Sequence, residues 1–303
     1  MNLFAKKQLL GAFRGLAWIA IAVFLMPTGA GAGEKHVKLM PELHSGQILR
    51  YDIHGRVQQH IKTESHVTNY KVPRDLKEEF SAVLRITVSN VGTENGRPVV
   101  SGQSEFEYPA DGGAGSAVVQ KHLVEFTIGG NGQLKKLSGL DDLEKVEQLA
   151  WRFWISQFAF GWTITGQNVK AGEAWKSEQG ESSPGPIAHL YWERETTVGE
   201  SSKCPVRSGE GCMAFLTTAL LKQKSSPKDS TPEDYRLHEL RTSGTASGKN
   251  EAYDSISEAT GLLMRGTEDV RQAMEVVIAK ADASNAVKYT MEAGSHFEAV
   301  LVD

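Results

Sequence analysis

The chain has 303 residues, 30 of them Gly, 10 Pro and only 2 Cys, with 23% charged and 40% hydrophobic side chains, which excludes the collagen-like, disulfide-scaffold and disordered classes. A chain of this length buries roughly 70–75% of its unfolded surface without staples, so folding requires neither a metal nor disulfides. Its 33 basic and 37 acidic residues give a formal charge of −4, without the basic excess that phosphate binding needs, and nucleic acid is not an expected partner.

Residues 1–32 carry Lys6, Lys7 and Arg14 and no acid, then an apolar run from Leu16 to Met26, then Pro27 and the small-residue stretch Thr28 to Ala32. That order is a secretory signal peptide. The 11-residue run is short of the ~20 residues a spanning helix needs. Ala30 and Ala32 supply the small side chains a signal peptidase accepts, so cleavage is expected after Ala32. No Cys follows the run, so no lipid anchor is expected. Cleavage removes three cations and no anion, leaving 271 residues with a formal charge of −7 and no second apolar stretch of membrane-spanning length. The expected compartment is periplasmic or extracellular, and oxidising.

The mature chain, 33–303, alternates at period two over most of its length, the pattern of half-buried antiparallel strands. Phe80, Ala82, Leu84, Ile86 and Val88 point one way, and Ser81, Arg85, Thr87 and Ser89 the other. Further strands are expected over Gln47 to Val57, Val99 to Tyr108, Val118 to Ile128, Ile187 to Val198, Met213 to Leu221, Tyr235 to Thr242, Val270 to Ala279 and Ala286 to Val302. Turn clusters at 109–113, 129–132, 182–186 and 225–229 supply the chain reversals. One segment breaks the pattern: Leu143, Val146, Ala150, Trp154 and Phe158 recur at helical spacing, so a helix is expected from Asp141 to Phe160. Asp141 would cap it with Glu144 returning the bond, and Gly161 would take the left-handed position past its end. Its apolar arc covers about 200°, twice the minimal stripe of a surface helix. A gapped internal echo, Phe126, Gly132, Leu134 and Gly139 against Tyr253, Gly261, Leu263 and Gly266, suggests two pseudo-repeats with a seam near 180–186.

The run Phe126-Thr127-Ile128-Gly129-Gly130-Asn131-Gly132-Gln133-Leu134, with Ser138-Gly139-Leu140-Asp141 and then Val169, Gly172 and Trp175, resembles uncharacterised exported bacterial β-proteins and, by pattern, the half-barrel lipoprotein carriers of the LolA and LppX type. The resemblance spans about fifty residues. It implies an antiparallel sheet folded around helices, with acyl chains held in the concavity, and it transfers no functional residue.

Cys204 and Cys212 flank a loop with Pro205, Gly209 and Gly211, and their spacing matches neither a zinc site nor a redox Cys-x-x-Cys, so a disulfide is expected. His54, His60 and His66 recur every six residues, a strand span of about 20 Å, which is too far for consecutive ones to share a metal. Glu105 with Glu107, and Glu193 with Glu195, share strand faces about 6.6 Å apart, near the separation used in glycoside hydrolysis, yet they sit on polar faces and read as solvated. No nucleophile elbow, zincin motif, P-loop or dinucleotide fingerprint is present, so no catalytic residue, metal or cofactor is assigned.

Six of the 24 aromatics fall between Trp151 and Trp162. Trp151, Trp154, Phe158 and Trp162 are accordingly the candidate ligand-contacting residues. The expectation is a mostly β protein, a curved antiparallel sheet or half-barrel with one long helix in its concave face. Its expected role is to bind or carry a lipid or another hydrophobic ligand in the cell envelope. The alternative is a structural or protein-interaction component of the envelope without a small ligand. An apolar cavity of about 300 Å3 or more separates the two.

Overall fold

The computed structural model describes residues 37–65, 75–109, 117–119, 122–164, 168–180, 185–206, 209–224, 230–280 and 285–302. The signal-peptide reading, with Ala30 and Ala32, lies outside them, as do His66, the turn at 225–229 and most of the 109–113 and 182–186 clusters. Residues 36–303 form one compact unit.

Strands dominate, and all the strand pairs are antiparallel. The N-terminal meander comprises β2 (Ile48–Ser65), β3 (Leu76–Glu94), β4 (Arg97–Pro109), β6 (Val124–Ile128) and β7 (Leu134–Ser138), with the short β5 (Ala117–Val119) beside β4. The C-terminal meander runs through β9 (Ala174–Gly180), β10 (Leu190–Lys203), β11 (Gly211–Gln223), β12 (Leu240–Ser257), β13 (Leu263–Lys280) and β14 (Val287–Leu301). The first strand of the one pairs with the last of the other, Met291 opposite Ile61, so the path β7-β6-β4-β3-β2-β14-β13-β12-β11-β10-β9 is a single sheet. It is not closed: β7 and β9 are its edges. A separate two-stranded ladder joins β1 (Val37–Lys38) to β8 (Asn168–Val169).

Local chemistry explains several boundaries. Asn95 and Gly96, at φ 52° and 76°, connect the paired residues Glu94 and Arg97. This is the two-residue primed turn whose twist suits a hairpin. The expected strand at 118–128 is two strands, β5 and β6. The expected strand at Tyr235 to Thr242 is instead a helical turn, α3 (Glu233–Leu237), followed by β12 from Leu240. Pro232 and the acids Glu233 and Asp234 favour a helix start there, and Glu239 at φ 57° breaks the chain before the strand. Ile187 likewise lies outside a strand, because His189 at φ 61° turns the chain before β10. In the internal echo, Gly132 and Gly261 both sit in turns at positive φ, whereas Gly139 has φ 81° and Gly266 lies within β13.

The helix starts later than expected. Asp141 belongs to a single 3-10 turn, Leu140–Asp142, entered through Gly139, where a Cβ would stand 2.1 Å from the Leu123 carbonyl oxygen. The helix proper, α1 (Lys145–Phe158), is capped by Glu144, whose N–H donates to Glu147 Oε2 at 2.8 Å. Glu147 also accepts from the Tyr108 hydroxyl of β4, tying the helix start to the sheet. Gly161 is not the C-terminal cap. It lies in the short α2 (Phe160–Thr163), where a Cβ would come within 2.7 Å of the Leu39 carbonyl oxygen.

The aromatic arc is buried from both sides. Trp154 stacks on Phe158 with centroids 5.1 Å apart and meets Tyr51 of β2 and Phe126 of β6. Phe153 stacks on Phe297 of β14, and Trp151 Nε1 donates to Ser104 Oγ of β4 at 2.8 Å. The Gln157 amide, oriented with its nitrogen toward β12, donates to both oxygens of Asp254 at 2.7 and 2.9 Å. One four-turn helix thus touches both halves of the sheet.

Candidate functional site

Because side chains alternate along a strand, the positions facing α1 can be followed beyond the helix. On β14, Phe297 touches α1, and the register carries the same face to Met291 and Tyr289. On β13, Gly266 lies against Gln157, and the same face continues to Gln272, Met274 and Val276. Three zones result.

The first is the aromatic core beneath α1. The residues expected to contact a ligand all lie here. Trp151, Trp154 and Trp162 are 0% exposed and Phe158 is 4% exposed. Trp162 Nε1 donates to the Pro98 carbonyl at 2.8 Å, as Trp151 does to Ser104, so both indoles are satisfied within the protein. None of the four side chains lines the cavity beneath Gly185 to Ile187 or the clefts at Arg56 to His60 and His54 to Ser81.

The second zone is a buried polar belt that the alternation pattern does not reveal. Asp254 is 1% exposed and faces Gln157 from α1. Asn250 Nδ2 donates to Glu268 Oε1 at 2.6 Å, while Asn250 Oδ1 is buried without a partner. Thr196 and Thr217 share a hydrogen bond of 2.8 Å. Burial pushes the Asp254 carboxyl well above its ordinary value, and the neighbouring Glu268 adds to the effect while Arg194 opposes it. Glu268 is raised by burial too, against the Asn250 hydrogen bond and Arg194.

The third zone is a mainly apolar cavity of about 360 Å3 on the part of this face beyond α1. Its floor is one row of register partners, Ala246, Met274, Met291 and Ile61, on four successive strands. Tyr289 and Val276 flank the row on one side and Gln272 on the other, with Leu190 and Leu221 at one end. The roof is the segment Gly185 to Ile187 together with Tyr235 of α3. Ala188 N–H donates to the Ser230 carbonyl at 2.8 Å, and the Ser230 and Thr231 hydroxyls donate to the Thr242 carbonyl at 3.2 and 3.1 Å, which pins the roof to β12. On β12 the small Ala246 leaves the room. Gly244 could not carry a side chain, since its Cβ would fall 2.2 Å from the Glu275 carbonyl oxygen. Those same small residues, Gly244, Ala246 and Gly248, keep β12 from reading as a strand in the sequence.

The other candidates fall on the opposite face. Glu105 pairs with Arg85 at 2.6 Å, and Glu107 lies 3.6 Å from Arg50. Glu193 pairs with Lys222, and Glu195 lies 3.6 Å from Lys176. All four form cross-strand ion pairs; Glu193 and Glu195 are solvated as their polar alternation suggests, whereas Glu105 and Glu107 are half-buried beside Arg85 and Arg50. His54 bonds Ser81 and His60 bonds Asp75, each on its own neighbour. Among the described residues no group of three or more His, Cys, Asp and Glu is arranged to hold a metal ion. Cys204 and Cys212 form a disulfide across the loop between β10 and β11. No described helix is long and apolar enough to cross a membrane.

No protein-family model and no curated protein matches the chain.

Proposed function

We propose that this is an exported cell-envelope protein that binds or carries a lipid or another hydrophobic molecule, held in the cavity between β2, β11–β14 and the segment 185–187. The carrying observation is the cavity itself: about 360 Å3, lined mainly by apolar side chains, and within the 300–1,000 Å3 range of small-molecule sites. Export is supported by the charged, apolar, small-residue order of residues 1–32 and by the disulfide, which suits an oxidising compartment. A half-barrel curved around α1 is supported by one helix meeting β4, β6, β2, β14 and β12 at once. The ligand site is distinct from the tryptophan stripe, whose indoles are already enclosed.

The test is titration of the mature chain, residues 33–303, with a fluorescent fatty acid, alongside mass spectrometry of lipids that co-purify. Saturable binding at or below tens of micromolar, lost in Ala246→Phe and kept in Trp162→Phe, is the expected result. Absence of binding and of co-purifying lipid overturns it. It would favour the second reading, a structural or protein-interaction component of the envelope, which the filled core beneath α1 supports.

A further inference from the structure

The cavity's shape carries more than its apolarity. Its floor is straight: Ala246, Met274, Met291 and Ile61 are direct register partners, so the row crosses β12, β13, β14 and β2 at right angles to the strands. At ~4.8 Å per strand the row is about 14 Å long. Along β13 its lining runs from Gln272 to Ile278, with Tyr289 of β14 beside Val276. A volume of 360 Å3 divided by the ~30 Å3 that one small molecule's heavy atom takes in a liquid leaves room for about twelve non-hydrogen atoms. Among the described residues, no Asp, Glu, Lys, Arg or His lines it. A charged headgroup inside would therefore be left desolvated and unpaired, which is costly. Met274 and Met291 give the floor two unbranched, adaptable side chains, suited to a flexible chain more than to a rigid ring.

We propose that this trench takes a single unbranched chain of about twelve non-hydrogen atoms whose polar end is uncharged or left in solvent, and that it does not enclose a multi-chain lipid. The assignment rests on the binding reading above. Ordered this way, the trench measures chain length: each methylene gains until the floor is filled, and further ones find no wall.

The experiment is a competition series on the mature protein with octanol, decanol, dodecanol and tetradecanol against a fluorescent fatty acid. Affinity should rise about fourfold per methylene as far as dodecanol, the equivalent of about 0.8 kcal/mol per buried CH2, and change less than twofold from dodecanol to tetradecanol. Dodecanol should bind no more weakly than dodecanoate. Ile61→Ala, which removes the side chain at the β2 end of the row, should move the plateau to tetradecanol, and this variant keeps the test open if Ala246→Phe does not fold. A gain that continues undiminished through tetradecanol in the wild type overturns the chain-length assignment, as does a plateau that Ile61→Ala leaves in place. Dodecanoate binding more than tenfold tighter than dodecanol overturns the uncharged-end assignment. If the fluorescent fatty acid binds and these patterns fail, only this inference falls; if no probe binds at all, the binding reading falls with it.

Discussion

Phe297 lies flat across Gly55, its partner in the β14–β2 register, so closely that a Cβ at Gly55 would stand 2.3 Å from the ring. Phe153 of α1 then stacks on the exposed side of that ring, with centroids 5.6 Å apart. A missing side chain on β2 therefore sets the height at which the helix rests. Gly102 and Phe126 repeat the device on the β4–β6 pair, where a Cβ at Gly102 would stand 2.8 Å from the ring. Gly55→Ala should destabilise the protein by about 1–3 kcal/mol, as overpacking does. Denaturant unfolding measures the loss, and adding Phe297→Leu should recover part of it. Independent, additive losses would mean the two residues do not share the space.

Trp154 sits at the centre of the core, and its own indole N–H has no hydrogen-bond partner. Its contribution is packing alone. Trp154→Ala should cost about 3–5 kcal/mol, as large-to-small core changes do. A loss below about 1 kcal/mol would show that α1 does not rest on the sheet through this ring.

Asp254 gives stability a pH dependence of defined sign. Its carboxyl is raised in the folded chain, so the native state holds a proton that the unfolded state gives up near pH 3.8. The stability this supplies is present below that pH and is lost as pH rises toward the folded value. The groups facing it are Gln157 of α1, Glu268 of β13 and Arg194 of β10, and Glu268 acts in the same direction. Asp254→Asn keeps the shape and removes the charge. The difference in unfolding free energy between the variant and wild type should grow in the variant's favour between pH 4 and pH 8. A difference that is flat with pH would show that Arg194 neutralises the carboxylate fully.

The Cys204–Cys212 bond closes a nine-residue loop, which in the chain-entropy model stabilises the fold by about 2.6 kcal/mol. Thiol labelling of the unfolded, unreduced mature protein should find no free cysteine. Reduction should lower the unfolding midpoint, and stoichiometric labelling without reductant would refute the bond.

Export predicts a mature N-terminus at or near Gly33. N-terminal sequencing of protein recovered from the exporting cell decides it, and a chain that still contains Trp18 would mean the leader is kept.

Alternation along Phe80 to Ser89 and helical spacing from Leu143 to Phe158 identify β3 and α1 in the sequence, because each element buries one face and the apolar residues mark it. The two cysteines identify their own bond, since a short Gly- and Pro-containing loop brings them together whatever the rest of the chain does. The sequence could not show that the tryptophans fill a core, because the rings that cover them, Tyr51, Phe126 and Phe297, lie on strands far away along the chain. Nor could it show the cavity. The row Ala246, Met274, Met291 and Ile61 exists only once four strands take their register. Its room depends on Ala246, in a stretch of β12 that reads locally as a loop. Periodicity reports which side of an element is buried, whereas pairing and register decide what each buried side meets, and at this site that is open space.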